Sequence, residues 1–316
     1  MKIVVTGGAG FIGANLCREL VRRGAHVIVL DDLSTSEQSN LDGLDVELRV
    51  KSVLDRQAVT DACRSADSVV HLAAVPSVPR SLLDPRRSHD VNVTGTLEVL
   101  QAARTSGAHV VVASSSSVYG SNPLLPKSEE MACLPMSPYA SGKLAAESYA
   151  LSFQHCFDLP CTVFRFFNVF GPLQRPAHAY AAVVPSFVWA ALRREPLVVF
   201  GDGQQSRDFT FVESVVEVLA DCVTRAVSCA HPVNLAFGTR TSLNELITKL
   251  SALLGRELDV VHRPARNGDV PHSQASSSAL RGLFPSVRPV PLEASLCRTI
   301  EWMQRLVSSE PSRSTA

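Results

Sequence analysis

Tyr139 and Lys143, in the run Tyr-Ala-Ser-Gly-Lys, have the types and spacing needed to move a proton at a hydroxyl. On a helix that spacing points both side chains to one side. An ammonium beside a phenol favours the phenolate and lowers the tyrosine pKa toward the working range. Tyr-x-x-x-Lys also occurs on ordinary surface helices, so the pair needs a second signal. The serine run Ser114-Ser115-Ser116-Ser117 supplies it. It follows Val110 to Ala113, an all-apolar stretch that reads as a strand, and ligands of parallel sheets collect at such strand ends. A serine hydroxyl there can share a substrate proton with Tyr139.

A second constellation lies at the start of the chain. Lys2 to Gly13 reads Lys-Ile-Val-Val-Thr-Gly-Gly-Ala-Gly-Phe-Ile-Gly. Ile3, Val4 and Val5 suit a buried parallel strand. Gly7 allows a tight turn, Gly10 lets a phosphate approach the backbone, and Gly13 lets the next helix pack close. Free amides at that helix start would hold a pyrophosphate. Phe11, Ile12, Leu16, Leu20 and Val21 give the helix its apolar face, and Gly24 ends it. A second strand, His26 to Leu30, delivers Asp31 to its tip, where a carboxylate accepts ribose hydroxyls and repels the extra phosphate of NADP. The order strand, glycines, helix, strand, acid is what a dinucleotide site requires, and it implies NAD.

The elements between these groups must bring them together. Val46 to Val50 reads as a third strand, followed by a helix to Arg64, and Ser68 to Leu72 as a fourth, ending in His71-Leu72-Ala73-Ala74. A loop from Val75 to Pro85 precedes a long helix, Arg86 to Arg104. After the serine run come a proline-containing loop, a helix from Pro138 to Phe157, and a strand from Cys161 to Phe166. Alternating strands and helices predict an α/β fold with a doubly wound, Rossmann-like parallel sheet. The pattern changes near Gly171, where prolines and short strands begin. Residues 1–170 are therefore expected to form the dinucleotide domain and 171–316 mainly a smaller α/β substrate lobe that returns segments to the first.

At 316 residues, 46% of them apolar, the chain can bury a large core. Its formal net charge of zero gives no basic footprint for nucleic acid or an anionic membrane. No apolar run has transmembrane length and no secretory leader is present, so a cytoplasmic location is expected. The eight cysteines form no Cys-x-x-Cys pair and the nine histidines no His-x-x-x-His pair, so structural thiols and no metal are expected.

The glycine fingerprint, Asp31, His71 to Ala74, the serine run and the Tyr139/Lys143 pair together resemble an extended short-chain dehydrogenase/reductase. Several long stretches resemble the nucleotide-sugar epimerase/dehydratase branch: Arg165 to Pro172, Tyr180 to Pro185, Gly201 to Phe209 and Arg266 to Ser273. The resemblance implies Tyr139 as general base, Lys143 as its activator and ribose ligand, and Ser115 as the hydroxyl partner. It implies cofactor contacts from Gly7, Gly10, Phe11, Ile12, Asp31, Ser52, Val53, Leu72, Ala73, Ala74, Tyr139, Lys143 and Phe166. For a UDP-sugar it implies Ser77, Arg80, Ser115, Ser116 and Ser117 near the sugar, and Asn168 and Arg207 at the diphosphate. Arg266 and Asp269 would contact phosphate and ribose, and Tyr180 to Val183, including Ala181, would line the uracil. A neutral protein holding a diphosphate needs a few placed guanidinium groups, which agrees.

The stretches Ser77 to Ser81, Tyr119 to Glu130 and Asn234 to Asn244 resemble 4-epimerases acting on UDP-N-acetylglucosamine. Two positions depart from the wider pattern. Ser52 stands where the family commonly has an Asp near the adenine. Ser116 and Ser117 stand where 4,6-dehydratases carry Asp and Glu, and hydroxyls cannot serve as strong acid and base for eliminating water. The expected activity is NAD-dependent 4-epimerisation of UDP-N-acetylglucosamine through a 4-keto sugar. A 5,6-dehydratase starting from the same C4 oxidation stays open, as does a non-catalytic NAD-binding regulator on the same fold. The helices carrying Leu97, Val99, Leu100, Leu144, Leu151 and Phe153 have more apolar residues than one sheet face needs, and a homodimer through paired helices is expected.

Overall fold

The computed structural model describes residues 1–176, 182–265 and 271–309. The first half alternates as the hydrophobic pattern demands: β1 (Lys2–Thr6), α1 (Phe11–Arg22), β2 (His26–Asp31), β3 (Val46–Val50), α2 (Arg56–Cys63) and β4 (Ser68–His71). It continues through α3 (Val78–Leu83), α4 (Pro85–His89), α5 (Gly95–Ser106), β5 (His109–Ser115), α6 (Pro138–Phe157) and β6 (Cys161–Phe166). Beyond these lie β7 (Val169–Phe170), α7 (Val183–Leu192), β8 (Leu197–Phe200), β9 (Ser206–Arg207), β10 (Thr210–Phe211), α8 (Val212–Arg225) and β11 (Val233–Leu235). The last elements are β12 (Thr241–Ser242), α9 (Leu243–Leu254), β13 (Val260–Arg263), α10 (Ser278–Leu283) and α11 (Leu292–Ser309).

Seven strands form one parallel sheet in the order β11-β6-β5-β4-β1-β2-β3, the doubly wound Rossmann-like arrangement. Strand polarity does not alternate, because both faces are covered. Val4, Ile28, Val69, Val110 and Val112 pack under α2, α5 and α6. Ile3, Val5, Val27, Val29, Val70 and Val111 face the other way, onto α1 and α8. That second cluster runs without a break into Phe187, Leu219, Leu250 and Met303. The chain past Gly171 therefore shares a core with the sheet and also sends β11 back to pair with β6.

Two segments differ from the sequence expectation. Val75 to Pro85 is not simply a loop: Val78–Leu83 is helical, with Ser77 as N-cap accepting from the Arg80 amide at 3.3 Å and a proline in the first turn. Nor is Arg86 to Arg104 one regular helix. A π-helical turn, Asp90–Thr94, separates α4 from α5. There Asn92, 1% exposed, turns its side chain out of the helical path. Its Oδ1 accepts from the Val75 amide at 2.8 Å, and its Nδ2 donates to the Val75 carbonyl at 3.4 Å. A local widening of the helix is the price of clasping the loop beside the β4 end.

Candidate active site

The glycine turn is built by close approach. Gly7 has φ +69°, and a Cβ there would lie 2.7 Å from the Ala73 amide nitrogen. Gly13 is tighter, since its Cβ would meet the Gly7 carbonyl oxygen at 2.2 Å. Only glycine lets α1 rise directly from β1. Gly10 is the N-cap of α1, without a side-chain cap, and the first turn carries no acid. Phe11 and Ile12 open that turn, so the helix presents bare amides suited to a pyrophosphate. Leu72 donates its amide to the Thr6 carbonyl at 3.1 Å, and Ala73 donates to Thr6 Oγ1 at 3.3 Å. Half-buried Leu72, Ala73 and Ala74 thus continue the wall of the turn.

Asp31 closes the other side. Its Oδ2 accepts from the Ala9 amide at 3.0 Å, and its Oδ1 from the Leu33 amide at 2.9 Å and Ser36 Oγ at 2.7 Å. A carboxylate has about four lone-pair sites, so acceptor capacity remains for a ribose diol. Ser52 Oγ accepts from the Leu54 amide at 3.2 Å. Val53 is buried against Gly95, where a Cβ would come within 2.7 Å of Val53 Cγ2. Phe166 ends β6, half-buried.

At the end of β5 the hydroxyl chemistry is assembled. Ser115 Oγ accepts from the Ser117 amide at 3.2 Å and from Ser117 Oγ at 2.9 Å. The Ser115 hydroxyl lies close enough to the Tyr139 phenol to favour its ionised form. Ser116 opens the following 3-10 turn, Ser116–Tyr119. Tyr139 stands in the first turn of α6, which Ser137 caps by accepting from the Ala140 amide at 3.2 Å. One turn on, Lys143 is 6% exposed and donates through Nζ to the Ala113 carbonyl at 2.8 Å.

The sequence expectation for the phenol needs one correction. Burial pushes the Tyr139 pKa up, and the Ser115 hydroxyl offsets only part of the rise. Lys143 lies on the same helix side, but it is directed at the β5 backbone, and burial lowers its own pKa to about 8. Spacing on a helix puts two groups on one face; it does not decide which acceptor the longer side chain reaches.

Beneath these groups lies a buried network that sequence reasoning missed. Glu147, one turn past Lys143, accepts from Ser114 Oγ and from Arg165 Nε, both at 3.0 Å, and closes an ion pair with Arg165 Nη2. Arg165 Nη1 donates to the Tyr119 hydroxyl at 2.9 Å, which in turn donates to Asn234 Oδ1 at 2.7 Å. Four of these residues lie on α6, β5, β6 and β11, and Tyr119 in the turn after β5. His71 is bonded on both sides, to Thr6 Oγ1 at 2.7 Å and Thr96 Oγ1 at 3.0 Å, and burial pushes its pKa down to about 3.

The substrate candidates fall into three groups. Asn168, at φ +37° beyond β6, donates through Nδ2 to the Asp208 carbonyl at 3.3 Å, which brings it beside Arg207. Arg207 Nη1 donates to the Ser206 and Pro271 carbonyls at 3.0 and 3.2 Å. Val183 begins α7, half-buried. Ser77 caps α3 and Arg80 lies within it, with the Arg80 side chain exposed. Tyr180, Ala181, Arg266 and Asp269 lie outside the described residues. Asp208 is a further residue that the sequence did not single out. It is fully buried, and burial lifts its pKa to about 6 despite donors from Ala275, Thr239 and Gly238.

A family model described as the NAD dependent epimerase/dehydratase family matches residues 3–236. The chain belongs to this family. This epimerase/dehydratase chain is 36% identical over 316 residues to a UDP-glucose 4-epimerase of Mycolicibacterium smegmatis, covering 96% of this chain and 99% of that one. Its fold matches a UDP-N-acetylglucosamine 4-epimerase from Methanobrevibacter ruminantium, solved with UDP-N-acetylmuramic acid. That match has a TM-score of 0.92 and 34% identity, covering 96% and 98% of the two chains. A UDP-glucose 4-epimerase from Thermotoga maritima, solved with UDP-glucose, matches with a TM-score of 0.90, 32% identity and coverage of 97% and 100%. The family's cofactor is NAD, and the turn fits it: uncapped amides at α1, two glycines that admit no Cβ, and a carboxylate at the β2 tip. The enzyme is an NAD-dependent member of the UDP-sugar epimerase/decarboxylase group. Among the described residues no helix is long and apolar enough to cross a membrane.

Proposed function

We propose that this enzyme is a 4-epimerase of UDP-N-acetylglucosamine and that it works as a homodimer. The observation that carries the reaction is the Ser115–Tyr139 hydroxyl pair at the β5 end, with Ser116 and Ser117 where an eliminating enzyme needs an acid and a base. The likeness to a UDP-N-acetylglucosamine 4-epimerase supports the acetamido sugar. The likeness to UDP-glucose 4-epimerases makes UDP-glucose the comparison substrate.

Bound NAD supplies a reversible hydride acceptor beside C4 of the sugar. Tyr139 takes the C4 hydroxyl proton, with Ser115 sharing it and holding the phenol in place. Lys143, one helical turn on along α6, keeps a positive charge on the same side of the helix below its pKa of about 8. Asn168 and Arg207 hold the diphosphate while the 4-keto sugar turns over and offers the opposite face of C4 for return of the hydride, and Tyr139 gives its proton back to the C4 oxygen. Arg266, Asp269 and Ala181 complete the nucleotide contacts in this reading.

Incubation with UDP-N-acetylglucosamine in deuterium oxide, read by mass spectrometry and proton NMR, tests the reaction. The expected product has unchanged mass and no deuterium on carbon. Loss of one water without a hydrogen at C5 would make the enzyme a 5,6-dehydratase, and loss of water with deuterium at C5 a 4,6-dehydratase. Faster turnover of UDP-glucose would overturn the acetamido assignment alone.

The dimer reading draws on α5 and α6. Val99, Leu100 and Phe153 are buried within the chain against the sheet. Half-buried Leu97, Leu144 and Leu151 remain, together with Tyr149 at 41% and Phe157 at 43% exposure. Pairing these faces across a two-fold axis would cover them. Light scattering at micromolar concentration should give twice the monomer mass, and a monomer there would remove this part of the proposal.

A further inference from the structure

We propose that Asp208 is a positioning residue for the nucleotide diphosphate: its carboxylate clamps the strand carrying Arg207, the Gly238–Thr239 turn and the chain at Ala275 into one wall. The inference rests on the reading of Asn168 and Arg207 as diphosphate ligands. Asp208 directly follows Arg207 and is fully buried. Its Oδ1 accepts from the Thr239 amide at 3.2 Å and Thr239 Oγ1 at 2.9 Å. Its Oδ2 accepts from the Gly238 and Ala275 amides, each at 3.1 Å. The backbone of the same residue accepts from Asn168 Nδ2 at 3.3 Å, and the Thr210 amide donates to the Asn168 carbonyl, also at 3.3 Å. One residue thus contacts two separate segments through its carboxylate and one of the two proposed diphosphate ligands through its carbonyl, and is the chain neighbour of the other.

The surrounding bonds show why a clamp is needed. Ser206 donates its amide to the Pro271 carbonyl at 3.0 Å and accepts at its carbonyl from the Ser273 amide at 2.9 Å. Arg207 Nη1 reaches the same Pro271 carbonyl. The strand β9 has two residues, pairs with the two of β12 and adds a single bridge from Ser206 to His272, so little regular ladder holds it. Gly238, at φ +78°, lets the turn approach closely, since a Cβ there would lie 3.3 Å from the Ala275 carbonyl. A buried carboxylate is tolerated only when its oxygens are bonded. Here they are bonded on both sides, by donors from loops rather than from the main sheet.

Chemistry distinguishes a clamp from a filler. Asparagine has nearly the shape of aspartate but only one acceptor oxygen, and its amide group would face two N–H donors. Asp208→Asn must therefore release either the Thr239 side or the Gly238 and Ala275 side, while the sheet and the α1 turn stay as they are. A guanidinium held against a diphosphate loses much of its benefit when its strand can drift.

The test is UDP binding by calorimetry, combined with steady-state kinetics and NAD retention, on the full-length wild type, Asp208→Asn and Thr239→Val. We expect Asp208→Asn to raise the UDP Kd and the UDP-sugar KM about tenfold. We expect kcat to stay within about threefold, with NAD retained as in the wild type. Thr239→Val removes one hydroxyl donor and should raise the UDP Kd about threefold. It decides the matter if the asparagine variant does not fold. Unchanged UDP affinity in a folded variant, or loss of kcat and NAD with UDP affinity intact, would overturn the clamp. A wild type that does not bind UDP would instead overturn the diphosphate reading beneath it.

Discussion

Tyr139→Phe should lower turnover about 10²- to 10⁴-fold, the range that a positioned proton-transfer group contributes. The ring stays, so the packing of the first turn of α6 is kept, and only the hydroxyl beside Ser115 is lost. NAD and UDP-sugar affinity should change little, because the phenol oxygen is needed when the C4 proton moves and not to hold the nucleotide. Ser115→Ala should be less severe than Tyr139→Phe, and the double variant scarcely worse than the tyrosine variant alone, since the two hydroxyls act as a unit. Burial holds the free phenol above its ordinary pKa. The wild-type kcat/KM should therefore climb from neutral into alkaline pH, as the free enzyme's base loses its proton. More than a tenth of wild-type turnover in Tyr139→Phe would mean that another group is the base.

Arg165→Met should be the most destabilising of the single changes considered, at about 3–5 kcal/mol, because it leaves the Glu147 carboxylate buried and unpaired. The Arg165 and Glu147 side chains are 4% and 5% exposed, so water cannot replace the missing partner. Burial works against the Arg165 charge, yet the Glu147 bonds and the Tyr119 hydroxyl outweigh it and raise its pKa above the ordinary guanidinium value. The loss would reach Tyr119 as well, which loses the Arg165 donor, while Ser114 keeps its bond to Glu147. Replacing both members, as Arg165→Met with Glu147→Leu, should recover much of the stability, since an apolar pair of similar volume avoids the desolvation cost. Denaturant unfolding checks this by the shift in midpoint at constant slope. A single variant within about 1 kcal/mol of the wild type would show that the pair is dispensable.

The parallel sheet and the cofactor turn were legible in the chain because their causes are local. A run such as Val110 to Ala113 has nowhere to go but between two covered faces, and strands predicted at Val46–Val50 and Cys161–Phe166 form with those bounds. Gly7 and Gly13 announce themselves for the same reason: a backbone that must approach another backbone tolerates no Cβ, and that requirement is written in one residue type. Ser137-Pro138 starts α6 where a cap and a first-turn proline say it should. The helix α3 carried the same kind of signal in Ser77-Val-Pro, but its proline and serine content reads equally as a loop, and only the packing of α3 against α6 decides between them.

What tertiary structure alone decided is the set of partners. Glu147 and Arg165 are 18 residues apart, and Asp208 and Ala275 are 67 apart. Nothing in their local patterns says that each will find its complement in the dark. Lys143 has the spacing to activate Tyr139, yet the fold directs its ammonium to the Ala113 carbonyl. The π turn at Asn92 likewise follows from a loop, at Val75, that sequence spacing does not place beside it. Secondary structure and glycine turns answer to short-range sterics and to the apolar period, which a linear sequence records. The pairing of buried charges and hydrogen bonds answers to which side chains the closed core brings within about 3 Å, and that is set only when the whole chain has folded.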